Sequence, residues 1–271
     1  MLKDITLGQY FPGSSPLHRM DPRTKIIITL IYVITLFFVK NFSGFGVFFL
    51  FIALSVFASR ISFKFVVKGL KPLLFVIVFT GLLNIFMTGG ETAFTIPYTN
   101  ITATWEGIKM AAFMILRLVL LIFGTSLLTL TTSPISLTDG IEALLSPLKK
   151  IKMPVHELSM MMTIAIRFIP TILEETDKIM KAQTARGADF KSGNVFKRAK
   201  ALVPILVPLF IGAFRRADEL SMAMETRCYN GGDGRTKLKS LKLTAVDGWC
   251  FLISILFLAF GTFTGYMSFL I

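Results

Sequence analysis

The sequence predicts an all-α, polytopic membrane protein with about five transmembrane helices and a cytoplasmic block of amphipathic helices. Three observations predict it. The 271 residues are 54% hydrophobic with 27 Phe, above the roughly 45–50% apolar usage of soluble domains. Apolar runs follow one another across short connections. From Ser133 to Lys242 the character changes, and apolar and charged residues mix at helical spacing. The chain accordingly divides into 1–132, a cytoplasmic lead-in with four transmembrane helices; 133–242, the cytoplasmic block; and 243–271, a last transmembrane helix.

The first 25 residues are polar, carry Lys3, Arg19, Arg23 and Lys25, and lack a short apolar core ahead of a small-residue cleavage site. The N-terminus is therefore expected to stay on the chain and in the cytoplasm. Asp21 can cap a helix whose first position is Pro22, because proline lacks the N–H that would be unsatisfied there. The apolar part of that helix, Ile26 to Val39, spans only roughly 21 Å against a hydrocarbon core of about 30 Å. It is expected to borrow Thr24, Lys25 and Lys40 by snorkelling, or to be sheltered by neighbours.

A connection at Asn41 to Gly44 leads to a second apolar run, Phe45 to Ser59. The basic patch that follows, Arg60, Lys64, Lys68 and Lys71, faces the cytoplasm by the positive-inside rule. Pro72 opens a third span, Leu73 to Met87. The loop from Thr88 to Thr104 has no Lys or Arg, which places it outside; its Asn100-Ile101-Thr102 sequon is too short a pattern to carry weight. A fourth span, Gly107 to Thr131, holds Arg117 near its middle, where it must face protein or water rather than lipid. Two readings stay open for it: a buried structural pair, or a contact with a partner subunit. The last span begins at Leu243, and with no basic residue beyond it the C-terminus is expected outside.

The net charge of +13 raises nucleic acid as a partner. However, 18 of the 29 Lys and Arg lie between Ser133 and Lys242 together with 11 of the 16 acids, and an even mixture of signs is a solvated helical surface rather than a basic groove. Cys228 and Cys250 match no metal or redox spacing, and a disulfide between them is not expected. His18 and His156 are too far apart in sequence to suggest a metal site.

Within the block, Pro134, Pro147, Pro154, Pro170, Pro204 and Pro208 are expected to divide it into three helical pieces with elbows. One pattern occurs twice at an offset of 41 residues: an amphipathic run, then an arginine, then a stop. It aligns Arg186 with Arg227, Asp177 with Asp218 and Ala182 with Ala223. Ile172, Leu173, Thr176, Ile179, Met180 and Gln183 share one face of the first run, with Glu174, Glu175, Asp177, Lys178 and Lys181 largely opposite. Phe210, Phe214, Ala217, Ser221 and Met224 make the corresponding stripe of the second, with Arg215, Arg216, Asp218 and Glu219 mostly away from it. Such faces need an apolar partner, and the many acids opposite favour protein over a lipid surface. Met160, Met161, Met162, Met180, Met222 and Met224 read either as core fillers or as a surface able to repack.

Each arginine stands where its helix should stop: Gly187 follows Arg186 directly, and Asn230-Gly231-Gly232 follows Arg227 after two residues. A single Arg-Gly end needs only the helix dipole and a glycine cap to account for it. Two, on repeated helices, suit insertion of a guanidinium fork into a groove on another subunit, where it would bind a carboxylate bidentately.

These residues resemble those of a known family, the transmembrane T component of energy-coupling-factor (ECF) transporters, which also includes the membrane scaffold of cobalt and nickel uptake systems. The resemblance rests on Tyr10-Phe11-Pro12-Gly13-Ser14-Ser15-Pro16-Leu17-His18-Arg19-Met20-Asp21-Pro22-Arg23-Thr24-Lys25 and on the motifs Ala185-Arg186-Gly187 and Thr226-Arg227-Cys228. The second motif departs from the commoner Ala-Arg-small form at both flanks. What the resemblance implies is a non-catalytic scaffold in the cell membrane. Two ABC-type ATPases, carrying ATP and Mg themselves, would bind the ends of its coupling helices through those six residues; the unlike ends, Ala-Arg-Gly against Thr-Arg-Cys, point to a heterodimer. A separate substrate-binding S component for a vitamin or metal ion would be gripped by the apolar faces, with Met160, Met161, Ile172, Ile179, Met180, Phe210, Phe214 and Met224. No cofactor or metal is expected on this chain, and no P-loop is present in it. The rivals are a stand-alone secondary transporter or channel, which should show membrane repeats and midplane polar groups; a conventional ABC permease subunit, with one coupling helix per chain; and an intramembrane enzyme, which would need paired ionisable groups at one depth.

Overall fold

The structure, a computed structural model, describes residues 10–39, 41–95, 102–190, 194–231 and 241–267. It is an all-α polytopic membrane protein. Two compact units divide the chain, one made of Gly8–Ala143 with Leu241–Ile271, the other containing Leu144–Ser240.

In the first unit a short helix α1 (Pro16–Arg19) precedes α2 (Pro22–Phe38), α3 (Phe42–Ser59), α4 (Phe63–Lys68) and α5 (Leu74–Met87). A hairpin of β1 (Thr92–Thr95) and β2 (Thr102–Thr104) leads to α6 (Trp105–Thr131), then α7 (Pro134–Leu145) and, after the second unit, α10 (Ala245–Met267). Four described segments are long and apolar enough to cross a membrane: Phe42–Ser59, Phe63–Met87, Trp105–Thr131 and Ala245–Thr264. The fifth expected span, α2, has only 17 residues, or roughly 25 Å at 1.5 Å per residue. It starts as its sequence dictates, with Asp21 Oδ1 accepting from the Arg23 amide at 2.9 Å and Pro22 in the first turn.

The third span is longer than the apolar run that announced it. α4, a tight turn over Lys71–Leu73 and α5 make one segment from Phe63, so that Lys64, Lys68 and Lys71 lie within its first turns instead of ahead of it. The connection from Thr88 to Thr104 contains the antiparallel hairpin strands, with Thr92 opposite Thr104 and Thr95 opposite Thr102. Asn100 and Ile101 of the sequon lie outside the described residues, as do Lys3, Lys40 and Gly232.

The core of this unit brings together Tyr32, Leu36, Phe45, Phe48, Ile52, Leu120, Phe123, Leu127 and Leu258 from α2, α3, α6 and α10. Tyr32 donates its hydroxyl to the Leu120 carbonyl at 2.9 Å, which leaves no buried polar atom unpaired on the ring. Gly124 lets α6 approach α2, because a Cβ there would overlap the Tyr32 ring.

Two charged residues of the spans turn inward. Arg117 donates from Nη2 to the Val39 carbonyl at 2.9 Å and lies over Phe37 and Phe45, 5.7 Å and 6.0 Å from their centroids. Of its two readings the structure realises an intramolecular one: the guanidinium closes the C-terminal end of α2, where carbonyls lack helical partners. Lys25 does not snorkel. It is 7% exposed, and its ammonium donates to the Thr131 carbonyl at 3.0 Å and to Thr132 Oγ1 at 3.3 Å, at the end of α6. Asp247 is the counterpart that the apolar pattern concealed. Only 2% exposed, it accepts from the Thr244 amide at 2.8 Å and the Thr244 hydroxyl at 2.6 Å, and from the Asp21 amide at 2.7 Å. The first bond is the return half of a capping box on α10, the acid reaching back to the N-cap amide; the hydroxyl bond braces it, and the third ties α10 to the start of α2. Lys25 lies within Coulombic reach of both Asp247 and Asp21.

Removing one member of this network leaves its buried partners uncompensated. Asp247→Ala is expected to cost about 3 kcal/mol or more and Asp247→Asn less, read as a lower midpoint of thermal unfolding in detergent. Gly124→Ala should lower the same midpoint through overlap with Tyr32, by about 1–3 kcal/mol.

Candidate coupling site

The second unit is dominated by two helices, α8 (Val155–Ala185) and α9 (Val195–Glu225), preceded by a tight turn over Ser146–Ile151. Each has 31 residues, roughly 46 Å at 1.5 Å per residue. The expectation of three pieces with elbows is only partly met. Pro134, Pro147 and Pro154 stand at element starts, whereas Pro170 lies inside α8 and Pro204 and Pro208 inside α9. An interior proline removes one backbone hydrogen bond and bends a helix, but here the turns on both sides continue it.

α8 and α9 pack against each other and are joined by an ion pair between Glu175 and Arg216. These two residues are 41 apart, the same offset that relates Arg186 to Arg227. Equivalent positions of the repeat therefore face each other where the helices meet. Gly212 allows the approach, since a Cβ there would lie 3.0 Å from Glu175 Oε1. Sequence reasoning had placed both charges on solvated faces; the shared offset was the signal that could have joined them.

From this crossing each helix runs on for eleven residues, Glu175 to Arg186 and Arg216 to Arg227, or roughly 16 Å. The two ends then close in the same way. Beyond Arg186, the Gly187 amide donates to the Thr184 carbonyl at 3.0 Å and the Ala188 amide to the Gln183 carbonyl at 3.0 Å. Beyond Arg227, the Cys228 amide donates to the Glu225 carbonyl at 2.9 Å and the Tyr229 amide to the Met224 carbonyl at 3.0 Å. Both are Schellman ends. The left-handed position is taken by Gly187 at φ 88° in one and by Cys228 at φ 55° in the other. The stop after Arg227 is therefore Cys228 itself, and the glycines that follow were a misleading signal. A side chain in this conformation costs about 1–2 kcal/mol.

Arg186 and Arg227 occupy the same position of these two ends and are exposed, as are Ala185, Gly187, Thr226 and Cys228. Among the described residues neither guanidinium makes an ion pair or side-chain hydrogen bond. Two exposed cations thus crown two helix C-termini, each added to the partial negative charge of unpaired carbonyls.

The apolar faces are unequally covered. On α9 a narrow stripe of Ala201, Ile205, Leu209, Gly212, Arg216, Leu220 and Met224 is buried or half-buried at spacings of three or four. Phe210 and Phe214, read from sequence as part of the contact stripe, are 61% and 70% exposed beside it. Met161 and Ile172 of α8 are also exposed, while Met160, Ile179 and Met180 are half-buried. Cys228 and Cys250 are free thiols. His18 is a structural clip of the lead-in, hydrogen-bonded to Ser15 Oγ at 2.6 Å and to the Phe11 carbonyl at 2.9 Å. Among the described residues no cluster of metal-ligating side chains forms.

The sequence profile of the CbiQ family, described as "Cobalt transport protein", matches residues 13–238. The chain belongs to the CbiQ family. It is 60% identical over 247 residues to the energy-coupling factor transporter transmembrane protein EcfT of Clostridium kluyveri, covering 91% of the chain and 92% of that relative. It is 55% identical over 269 residues to the protein of that name from Ruminiclostridium cellulolyticum, covering 99% of the chain and 100% of the relative. With the protein of that name from Bacillus subtilis it shares 51% identity over 248 residues, 91% of the chain and 93% of the relative. As a CbiQ family member with these relatives, the chain is the membrane component of an energy-coupling factor transporter.

If the ion pair fixes the crossing, reversing one charge should disturb it and reversing both should restore it. Glu175→Arg and Arg216→Glu are each expected to destabilise the purified chain. The double swap should recover about 1 kcal/mol of coupling, the scale of a partly exposed pair, measured as a double-mutant cycle on unfolding midpoints.

Proposed function

We propose that this chain is the scaffold through which ATP hydrolysis on two ABC-type ATPases drives a separate substrate-binding membrane subunit. The observation that carries this reading is the pair of matched helix ends, each presenting an exposed arginine eleven residues beyond a crossing made by equivalent residues. In it, Arg186 docks on one ATPase and Arg227 on the other, each forking onto an acidic groove. Ala185, Gly187, Thr226 and Cys228 shape the surface around the two cations. Their different flanks, glycine against cysteine in the left-handed position, suit two non-identical ATPases, which carry the ATP and Mg. The exposed Met161, Ile172, Phe210 and Phe214, bordered by the half-buried Met160, Ile179, Met180 and Met224, offer the apolar surface for the substrate-binding subunit. The cargo is a vitamin or metal ion selected by that subunit. The distribution of Lys and Arg supports a plasma-membrane orientation with the N-terminus and the α8–α9 unit in the cytoplasm and the C-terminus outside.

The test is co-purification of the chain with its ATPase pair and a substrate-binding subunit, together with ATP-driven uptake in proteoliposomes. Arg186→Glu and Arg227→Glu should each weaken ATPase retention about tenfold or more, the scale of a hydrogen bond to a charged group. The double variant should lose both retention and uptake while still holding the substrate-binding subunit. Retained ATPases and continued uptake in the double variant would reduce these arginines to helix caps and place energy entry elsewhere.

A further inference from the structure

The proposed function leaves unused a pair of arginines in the first unit, where three chain segments end at one level. α3 finishes at Ser59 and is closed by Arg60, a non-glycine residue in the left-handed conformation at φ 56°. α1 finishes at Arg19, just ahead of α2, and α10 begins one residue after Thr244. Arg19 and Arg60, with Ser14, Pro16, Thr244 and Val246, line an open concavity of about 620 Å³. Both arginines are exposed, and among the described residues neither makes an ion pair or side-chain hydrogen bond. Asp247, the acid nearest to Thr244 in sequence, is buried and is not part of the lining: both its oxygens are occupied by Thr244 and the Asp21 amide.

Two guanidinium groups without a counter-ion at one rim select a compact anion of the phosphate type, which each can grip as a fork. The surroundings say which source of phosphate fits. Phe57, one turn before Arg60, is 85% exposed; Leu243, Val246 and Trp249 at the start of α10 are 68%, 52% and 66% exposed. Exposed aromatic and aliphatic side chains at the ends of apolar spans, with a tryptophan among them, are the signature of the headgroup and upper acyl region of a bilayer. A soluble anion would gain nothing from them, and an acidic protein surface would leave them in water.

We infer that Arg19 and Arg60 form a binding site for the phosphate headgroup of an anionic glycerophospholipid. The phosphate sits between the two guanidiniums beside the Ser14 and Thr244 hydroxyls, and the acyl chains descend along Phe57, Val246 and Trp249. One lipid would then join the ends of α1, α3 and α10 on the surface of this unit.

The experiment is native mass spectrometry of the full chain in neutral detergent. The chain is titrated with phosphatidylglycerol or with phosphatidylcholine of the same acyl chains, in parallel with thermal unfolding in inorganic phosphate. Wild type should prefer phosphatidylglycerol. Arg19→Gln/Arg60→Gln should lose roughly thirtyfold of that preference and each single variant about fivefold, from about one near-surface cation's worth of attraction apiece. Lys64→Gln/Lys68→Gln should leave it unchanged, with helical content the same throughout; if the double variant does not fold, the single variants decide. An equal loss in the Lys64 and Lys68 variant, or no loss in the arginine variants, would overturn the site. Stabilisation of wild type by inorganic phosphate equal to that by phosphatidylglycerol would make it a soluble-anion site instead. A lipid preference that survives both arginine changes while assembly with partner proteins fails would make it a protein contact.

Discussion

The buried charge network at the head of α2 is the constraint on which the membrane-spanning unit depends. Lys25, Asp21 and Asp247 are all under 10% exposed, and charges removed from water are tolerated only if they are paired and hydrogen-bonded. Here the bonds that hold Lys25 and Asp247 come from three different helices, while Asp21 takes the Arg23 amide at Oδ1 and lies within Coulombic reach of Lys25. The ammonium is hydrogen-bonded only if the end of α6 supplies the Thr131 carbonyl and the Thr132 hydroxyl. The Asp247 carboxylate is satisfied only if Thr244 and Asp21 stand at its two oxygens. Segments more than two hundred residues apart are thereby brought to one register, because a slip of one residue in any of them would strand a charge. The lead-in is fastened to the same place, where the Phe11 amide donates to the Leu130 carbonyl at 2.9 Å.

The unit of α8 and α9 is built on the opposite plan. It has long helices and little interior: among the described residues of these two helices Val155, Ser159 and Ile205 are buried, while Leu206, Val207, Phe210, Ile211, Phe214 and Met222 are exposed. A helix can hold its own backbone hydrogen bonds without a core, but its apolar face cannot be satisfied that way. The first unit is closed around its own charges, whereas the second leaves both its apolar area and its two terminal cations available.

Most of the fold was legible because its signals are strong and local. Length and apolarity mark α3, α5, α6 and α10, Asp21-Pro22 marks the start of α2, and the duplicated arginines mark the ends of α8 and α9. What escaped did so for identifiable reasons. Asp247 lies at the edge of an apolar run, where an acid reads as a boundary; the Thr244-x-x-Asp247 spacing of a capping box was the available clue. For Lys25 the sequence leaves open both snorkelling, usual for a lysine near a span end, and shelter by neighbours, and only the positions of α6 and α10 decide for shelter. Pro170, Pro204 and Pro208 read as breaks because local rules weigh the lost bond and ignore the turns that resume beyond it. Glu175 and Arg216 read as solvated because helical periodicity sorts residues by face and contains nothing about where two helices meet.

The interior prolines give the long helices an uneven stiffness along their length. All three lie before the crossing: Pro170 five residues ahead of Glu175, and Pro204 and Pro208 twelve and eight residues ahead of Arg216. The carbonyls of Ile166, Lys200 and Pro204 lose their helical donors there, so bending is easiest on that side. The stretches from the crossing to Arg186 and Arg227 contain no proline and no glycine. Each behaves as a short, rigid spoke. A load applied at either end reaches the junction of the two helices before it meets a compliant joint, and the yielding occurs on the far side of it.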